Sequence, residues 1–229
     1  MGRDLSISSI EVDGGKAGIV VLRRALSISS IETKKYKIIP FGGELYEAFG
    51  TPEKRGIGLI WGGSGNGKTG LMLQLAREYS KHGRVAINSL EMGFSMAMRD
   101  AIVNSGLSEA NRKIILLQEP IAELSERLLR PKSPDFIFID SLQYSGLNYQ
   151  KYKEFKEKHR NKFIYFISHA DGKTPAGRAA KSIMFDADFK IWVEGYKAFS
   201  KGRYIGPNGG MYTIWHEGAQ RYWLDSINN

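Results

Sequence analysis

The 229-residue sequence contains no cysteine. That excludes a disulfide framework and a cysteine-ligated zinc site. Histidine is scarce as well: there are four, none at paired metal-ligand spacing, so a structural metal site is not expected. No run reaches the roughly 18 apolar residues that read as a membrane span, and the N-terminus lacks the apolar h-region of a secretory signal. A cytoplasmic protein with no membrane segment is the expectation. Acidic residues are in the minority, with 24 Asp and Glu against 33 Lys and Arg, for a formal net charge of +9. A basic balance of this kind is compatible with nucleic acid, through phosphate neutralisation, and equally with simple solubility. Apolar and charged fractions of 42% and 25% are those of an ordinary globular protein. The length suits one large domain, or one domain with an arm.

The opening differs from the rest. Leu5-Ser6-Ile7-Ser8-Ser9-Ile10-Glu11 recurs 21 residues later as Leu26-Ser27-Ile28-Ser29-Ser30-Ile31-Glu32, with Gly14-Gly15 between the copies. Two short copies do not make a solenoid. The Ile/Ser alternation suits a short strand or an exposed arm. Residues 1–34 are therefore either an arm that docks on a neighbouring subunit or a local duplication in a tail, and residues 35–229 form the domain.

Within that domain, turn signals at Phe41-Gly42-Gly43 and Gly50-Thr51-Pro52 flank a short helix over 44–49. Strands are expected at 56–61, 84–90, 114–117, 136–139 and 163–168. Helices are expected between them at 68–82, 94–104, 121–130 and 149–162. Leu71, Leu75 and Tyr79 recur at helical spacing, Leu124, Leu128 and Leu129 should point inward, and Met92, Met96 and Met98 read as packing residues. Between Lys151 and Lys162 six basic residues face two acids, the pattern of a solvated helix face. A loop rich in Gly, Ala and Lys follows over 170–181. Short strands at 189–193, 196–200, 211–216 and 221–224 then extend the sheet antiparallel at one edge. The fold class is α/β: a mainly parallel central sheet flanked by helices, with C-terminal antiparallel hairpins. Ligands of such a sheet sit at the carboxyl ends of its strands.

The most specific motif is Gly62-Gly63-Ser64-Gly65-Asn66-Gly67-Lys68-Thr69, which fits G-x-x-x-x-G-K-[ST] and lies between an apolar strand and a helix. Glycines let backbone N–H groups turn inward around phosphate oxygens. Lys68 brings a positive charge to the β/γ-phosphates, Thr69 offers a hydroxyl to Mg²⁺, and the helix start at Lys68, Thr69 and Gly70 faces the anion. Asp140 ends an apolar strand about 70 residues further on, where it holds Mg²⁺ through water or caps the next turn. Glu91, after the next strand, is either the carboxylate that polarises the attacking water or a surface acid. Glu91, Asp140 and His169 are the strand-end residues that belong with the loop.

From about residue 36 to 225 the chain resembles the RecA-like P-loop ATPases, most of all the DnaB-type helicase motor and the RadA/Sms ATPase core. Ser89-Leu90-Glu91-Met92 looks like the DnaB segment around its catalytic glutamate. Ile139-Asp140-Ser141-Leu142-Gln143 is similar to the Walker-B segment of both. Ser168-His169-Ala170-Asp171-Gly172-Lys173, followed by Ala176-Gly177, resembles the RadA stretch G-H-V-T-K and its A-G-P. Ser200-Lys201-Gly202-Arg203 is similar to K-N-R-F-G of RadA and K-x-R of DnaB. The resemblance implies ATP and Mg²⁺ as cofactors, Glu91 as catalytic base, and His169 as the γ-phosphate sensor, at a position that is often Gln. It implies that Lys201 and Arg203 act in trans on a neighbour's ATP in a homo-oligomer such as a hexameric ring. Lys173, Arg178 and Lys181 would then lie in a DNA-contacting loop, suited to phosphate contact with single-stranded DNA.

Function is thus expected to be ATP hydrolysis coupled to DNA, as in a minimal helicase, recombination or repair motor. A regulatory or scaffolding ATPase without translocation is the alternative. A P-loop small-molecule kinase fits less well, since it needs its cationic lid in cis.

Overall fold

Two registers of side chains explain how the central strands build the sheet. The computed structural model describes residues 25–107 and 112–225. In strand Phe136–Asp140, Phe136 and Phe138 join one buried cluster while Ile137 and Ile139 join another. Alternate residues of a strand point to opposite faces, so a run that is apolar at every position has a core on both sides.

The chain divides into two compact units, Met1–Tyr36 and Lys37–Asn229. In the first, one short helix is described, α1 (Ile28–Glu32). Ser27 caps it, its Oγ accepting from Ser30 N at 3.2 Å. The second Leu-Ser-Ile-Ser-Ser-Ile-Glu copy, expected as a short strand or an exposed arm, is exposed, but it forms a capped helical turn and not a strand. A serine that can cap outweighs the alternation signal in so short a segment. The first copy and Gly14-Gly15 lie outside the described residues.

In the second unit α2 (Gly43–Phe49) leads to β1 (Gly56–Gly62) and α3 (Lys68–Ser80). There follow β2 (Val85–Ser89), α4 (Met96–Asn104), β3 (Ile114–Leu117), α5 (Ile121–Leu129), β4 (Phe136–Asp140) and α6 (Tyr149–Lys158). The chain continues through β5 (Phe163–Asp171), β6 (Thr174–Pro175), α7 (Arg178–Asp186), β7 (Phe189–Glu194), β8 (Lys197–Ser200), β9 (Met211–Thr213) and α8 (His216–Asp225). The sheet order is β3-β2-β4-β5-β1-β7-β8-β9, with β6 paired to the end of β5. The strands from β3 to β7 in that order run parallel, and β8 and β9 are antiparallel additions at the edge. The expected α/β fold class is thus the observed one.

One face of the sheet packs on α3, which buries Leu71, Met72, Leu73, Leu75, Ala76 and Tyr79. Each large apolar side chain so buried contributes about 1.5–3 kcal/mol. The other face packs on α5, α6 and α7 through Leu124, Leu128, Tyr152, Phe155, Ala180 and Ile183. Across the first face the hydroxyls of Tyr79 and Tyr165 meet at 2.8 Å, both rings fully buried. Gly58 makes room for this: a Cβ there would lie 2.2 Å from the Tyr165 ring.

Several expectations are corrected. Residues 221–224 are not a strand but the last part of α8, and the strand expected over 211–216 stops at Thr213. The aromatic run that suggested a strand instead sets Tyr222 against Gly195, and Trp223 donates from Nε1 to the Gly195 carbonyl at 3.1 Å. The loop expected over 170–181 is largely structured. β5 continues to Asp171, β6 returns against it, and Arg178 and Lys181 lie on α7. His169, expected just past the end of its strand, is therefore inside β5. The charged helix stops at Lys158, because His159 turns inward to meet Ser125 Oγ at 2.8 Å and Lys162 is buried. Leu129 and Met96, expected to pack, are 53% and 71% exposed.

Candidate functional site

Parallel pairing brings the carboxyl ends of β1, β2, β4 and β5 to one edge. Gly62 is in register with His169 and Ser89 with Asp140, and Glu91 N donates to the Asp140 carbonyl at 3.1 Å. The cleft formed there, about 340 Å³, is lined by residues of the Gly62–Thr69 loop together with Glu91, Met92, Asp140, His169 and Tyr196.

The loop has the backbone its glycines permit. Gly65 and Gly67 have φ of 74° and 102°, a region that costs other residues strain. A Cβ on Gly63 would lie 2.8 Å from the Asn66 amide nitrogen, and one on Gly62 would lie 2.2 Å from the Val193 carbonyl. Asn66 holds the loop's shape by donating to the Ser64 carbonyl at 3.2 Å. Gly67 precedes α3, whose first internal bond runs from Leu71 N to Gly67 O at 3.0 Å. The N–H groups of Lys68, Thr69 and Gly70 are thus those of a helix start, the donors suited to an anion.

Lys68 Nζ donates to the carbonyls of Gly62 and Gly63 at 2.9 and 2.8 Å. Burial lowers its pKa, with the nearby Asp140 and Glu91 charges opposing. Asp140 is 6% exposed. Burial, then repulsion from Glu91, pushes its carboxyl up to about 6. Burial, the largest single influence, raises Glu91, but the hydrogen bond to His169 together with Ser141 and the charges of His169 and Lys68 leaves the carboxyl below its ordinary value. His169 Nε2 lies 3.0 Å from Glu91 Oε2. Ser141 sits close enough to add to that pull, though its buried hydroxyl is not in hydrogen-bond geometry. Gln143 ties the segment after β4 to β5, donating to Ser168 Oγ at 2.9 Å and accepting from His169 N at 3.4 Å.

Thr69 and Asp140 fit a Mg²⁺ ion. A buried carboxylate whose charged form is penalised, beside a hydroxyl, offers hard oxygen donors to a cation that keeps phosphate and water as its other ligands. Among the described residues no group of three or more His, Asp or Glu could hold a metal without such help.

One part of the cleft was not foreseen. β7 and β8 are joined by Gly195 and Tyr196, with φ of 51° and 60°, the conformation of a type I′ hairpin. Gly195 N donates to Asn66 Oδ1 at 2.7 Å and Tyr196 N to the Asn66 carbonyl at 3.1 Å. The hairpin therefore clamps the loop, and Tyr196 forms one wall. A glycine between two apolar runs announces a turn, but nothing local says that it lies over Gly62–Thr69.

The remaining site candidates lie elsewhere. Lys201 and Arg203 do not line the cleft. Arg203 is paired with the Asp188 carboxylate. Lys201 and Lys173 both lie over the Trp192 ring, at 5.8 and 5.5 Å from its centroid. Lys181 is 4.0 Å from Asp171, and Arg178 begins α7.

No family model and no curated protein matches the chain. Among solved structures it is similar to the crystal structure of a KaiC-like protein from the hyperthermophilic archaeon Pyrococcus horikoshii OT3. That match has a TM-score of 0.53 and 17% identity, and it covers 78% of this chain and 99% of the other. The chain thus shares the mainly parallel α/β fold of that KaiC-like protein, and its Gly62–Thr69 loop, Glu91, Asp140 and His169 lie at the edge of the sheet where the parallel strands end.

Proposed function

We propose that this chain is a Mg²⁺-dependent ATPase that hydrolyses ATP with Glu91 as general base. The observation that carries the reading is the meeting of Lys68, Glu91, Asp140 and His169 in one cleft beside a helix start. Residues 62–70 bind the phosphates through backbone N–H groups, and Lys68 exchanges its bonds to Gly62 and Gly63 for phosphate oxygens. Thr69 and Asp140 would hold Mg²⁺, which supplies charge neutralisation at the phosphates. Glu91, held below its ordinary pKa, is ionised at neutral pH and accepts the proton of the attacking water. His169 fixes the orientation of that carboxylate.

The finer reading is a DNA-coupled motor that works as a homo-oligomer. Lys201 and Arg203 of one subunit would compensate charge at the next subunit's phosphates, and Lys173, Arg178 and Lys181 would contact single-stranded DNA. A regulatory or scaffolding ATPase is the second reading. It is favoured by Arg178 and Lys181 lying on α7 rather than on a free loop, and by Lys173 and Lys201 leaning on Trp192. ATP turnover with and without single-stranded DNA, alongside mass measurement with a non-hydrolysable ATP analogue, separates them. DNA stimulation and a nucleotide-dependent oligomer support the motor. Turnover insensitive to DNA supports the regulator, and a Lys68→Ala protein that binds ATP normally sinks both.

A further inference from the structure

A second cavity lies away from the Gly62–Thr69 loop. It is a groove of about 740 Å³ at the opposite, amino-terminal edge of the sheet. Arg84, Arg112, Lys113, Arg130, Lys132 and Lys162 line it, against the carboxylate of Asp135. These cations come from the segments that lead into β2, β3, β4 and β5, which are adjacent strands. Four strands spaced about 4.8 Å apart span roughly 14 Å. Along the axis of a duplex that length takes in about four phosphates of one strand, at about 3.4 Å of rise each.

Three features set the groove apart from an ordinary solvated basic surface. Arg84, Arg112, Lys113, Arg130 and Lys132 are exposed, and among the described residues none forms an ion pair with a carboxylate. Lys162 is only 8% exposed, and its ammonium donates to the neutral Ser133 hydroxyl at 2.8 Å. Burial accordingly lowers its pKa, with Asp135 opposing. Lys132 holds φ of 61°, and its carbonyl accepts from the Arg84 guanidinium at 2.6 Å. A non-glycine residue at positive φ is strained and is held there by its surroundings.

We propose that this groove is a second phosphate-binding surface, which takes the sugar–phosphate backbone of nucleic acid at the sheet edge opposite the ATP cleft. Guanidinium forks match phosphate oxygens. Among the described residues no aromatic side chain lines the groove, so bases are neither stacked nor read and binding is indifferent to sequence. The site does not depend on the ATPase reading or on Lys173, Arg178 and Lys181.

The test is fluorescence anisotropy of labelled duplex and single-stranded oligonucleotides, without nucleotide, as salt is raised. The full-length chain is compared with Arg112→Gln/Lys113→Gln/Arg130→Gln and with Lys173→Gln/Arg178→Gln/Lys181→Gln. Circular dichroism checks that each variant is folded. The groove variant should bind duplex with a log–log salt slope shallower by about 2.7, or about 0.9 for each phosphate no longer neutralised. The weakening should be equal across unrelated sequences. Wild-type binding in the groove variant, with loss confined to the other triple variant, overturns the groove and leaves the α7 surface. Loss in neither, or no binding by the parent chain, also overturns it. Displacement of the label by poly-glutamate as readily as by unlabelled DNA would reassign the groove to acidic protein.

Discussion

Replacing either member of the Tyr79–Tyr165 pair with Phe should destabilise the protein far more than replacing both. Each hydroxyl is fully buried and the two meet at 2.8 Å. The nearby Tyr204 hydroxyl already accepts from Glu53 N at 3.3 Å. Tyr79→Phe or Tyr165→Phe alone therefore strands one hydroxyl in an aromatic core. That costs the bond and the desolvation of the orphan, about 2 kcal/mol. For a chain of this length it corresponds to a melting temperature lower by about 4–8 °C. The double variant removes both polar groups, keeps both rings, and should lose less than about 1 kcal/mol. The coupling energy from urea unfolding of all four proteins should then be about 3 kcal/mol. Additive losses would refute the reasoning, because they would mean that the hydroxyls do not depend on each other. Tyr79 lies on the helix that follows the Gly62–Thr69 loop and Tyr165 on the strand that carries His169, so the pair also fixes these two parts of the candidate site to each other.

Glu91→Gln should retain ATP binding and lose turnover by about 10²–10⁴-fold; unchanged turnover in a rapid-quench assay would remove Glu91 from the chemistry. His169→Ala removes an interaction that lowers the Glu91 pKa, so the acid limb of the turnover–pH profile should move to higher pH, and a move downward or none would contradict the pairing. Asp140 has a folded pKa of about 6 against an ordinary 3.8, so folding favours its protonated form. Its contribution to stability is greatest below about pH 4, declines as pH rises through 6 and is flat above. Asp140→Asn should therefore raise the stability of the nucleotide-free protein at pH 7.5, by up to about 3 kcal/mol, flatten the pH dependence of the urea midpoint, and weaken Mg²⁺-dependent ATP binding. Asn66→Ala removes the acceptor for Gly195 N and should weaken ATP binding about tenfold through a loosened loop, measured by titration calorimetry.

How much of this was legible depends on the range of the forces involved. The apolar runs at 136–139 and 163–168 announced strands buried on both faces, and β4 and β5 have that burial. Gly62 to Thr69 announced its own turn, because left-handed backbone and a helix start are set by a few neighbouring residues. Arg221 to Leu224 misled for the same reason: short aromatic segments satisfy strand and helix alike, and only the docking of Tyr222 and Trp223 on Gly195 decides between them. Arg178 and Lys181 looked like loop residues because small and basic residues carry little periodicity, yet Ala180 and Ile183 pack under the sheet and make the segment a helix.

The sequence by itself determined a glycine-rich loop between a strand and a helix, carboxylates at the ends of buried strands, and an α/β architecture, since these follow from local sterics and the periodicity of apolar residues. The tertiary structure decided what strand order and register control. It joined His169 to Glu91, folded the Gly195–Tyr196 hairpin onto Asn66, and gathered cations from four separate turns into one groove. Those residues are distant in sequence, and parallel pairing across the sheet is what makes them neighbours.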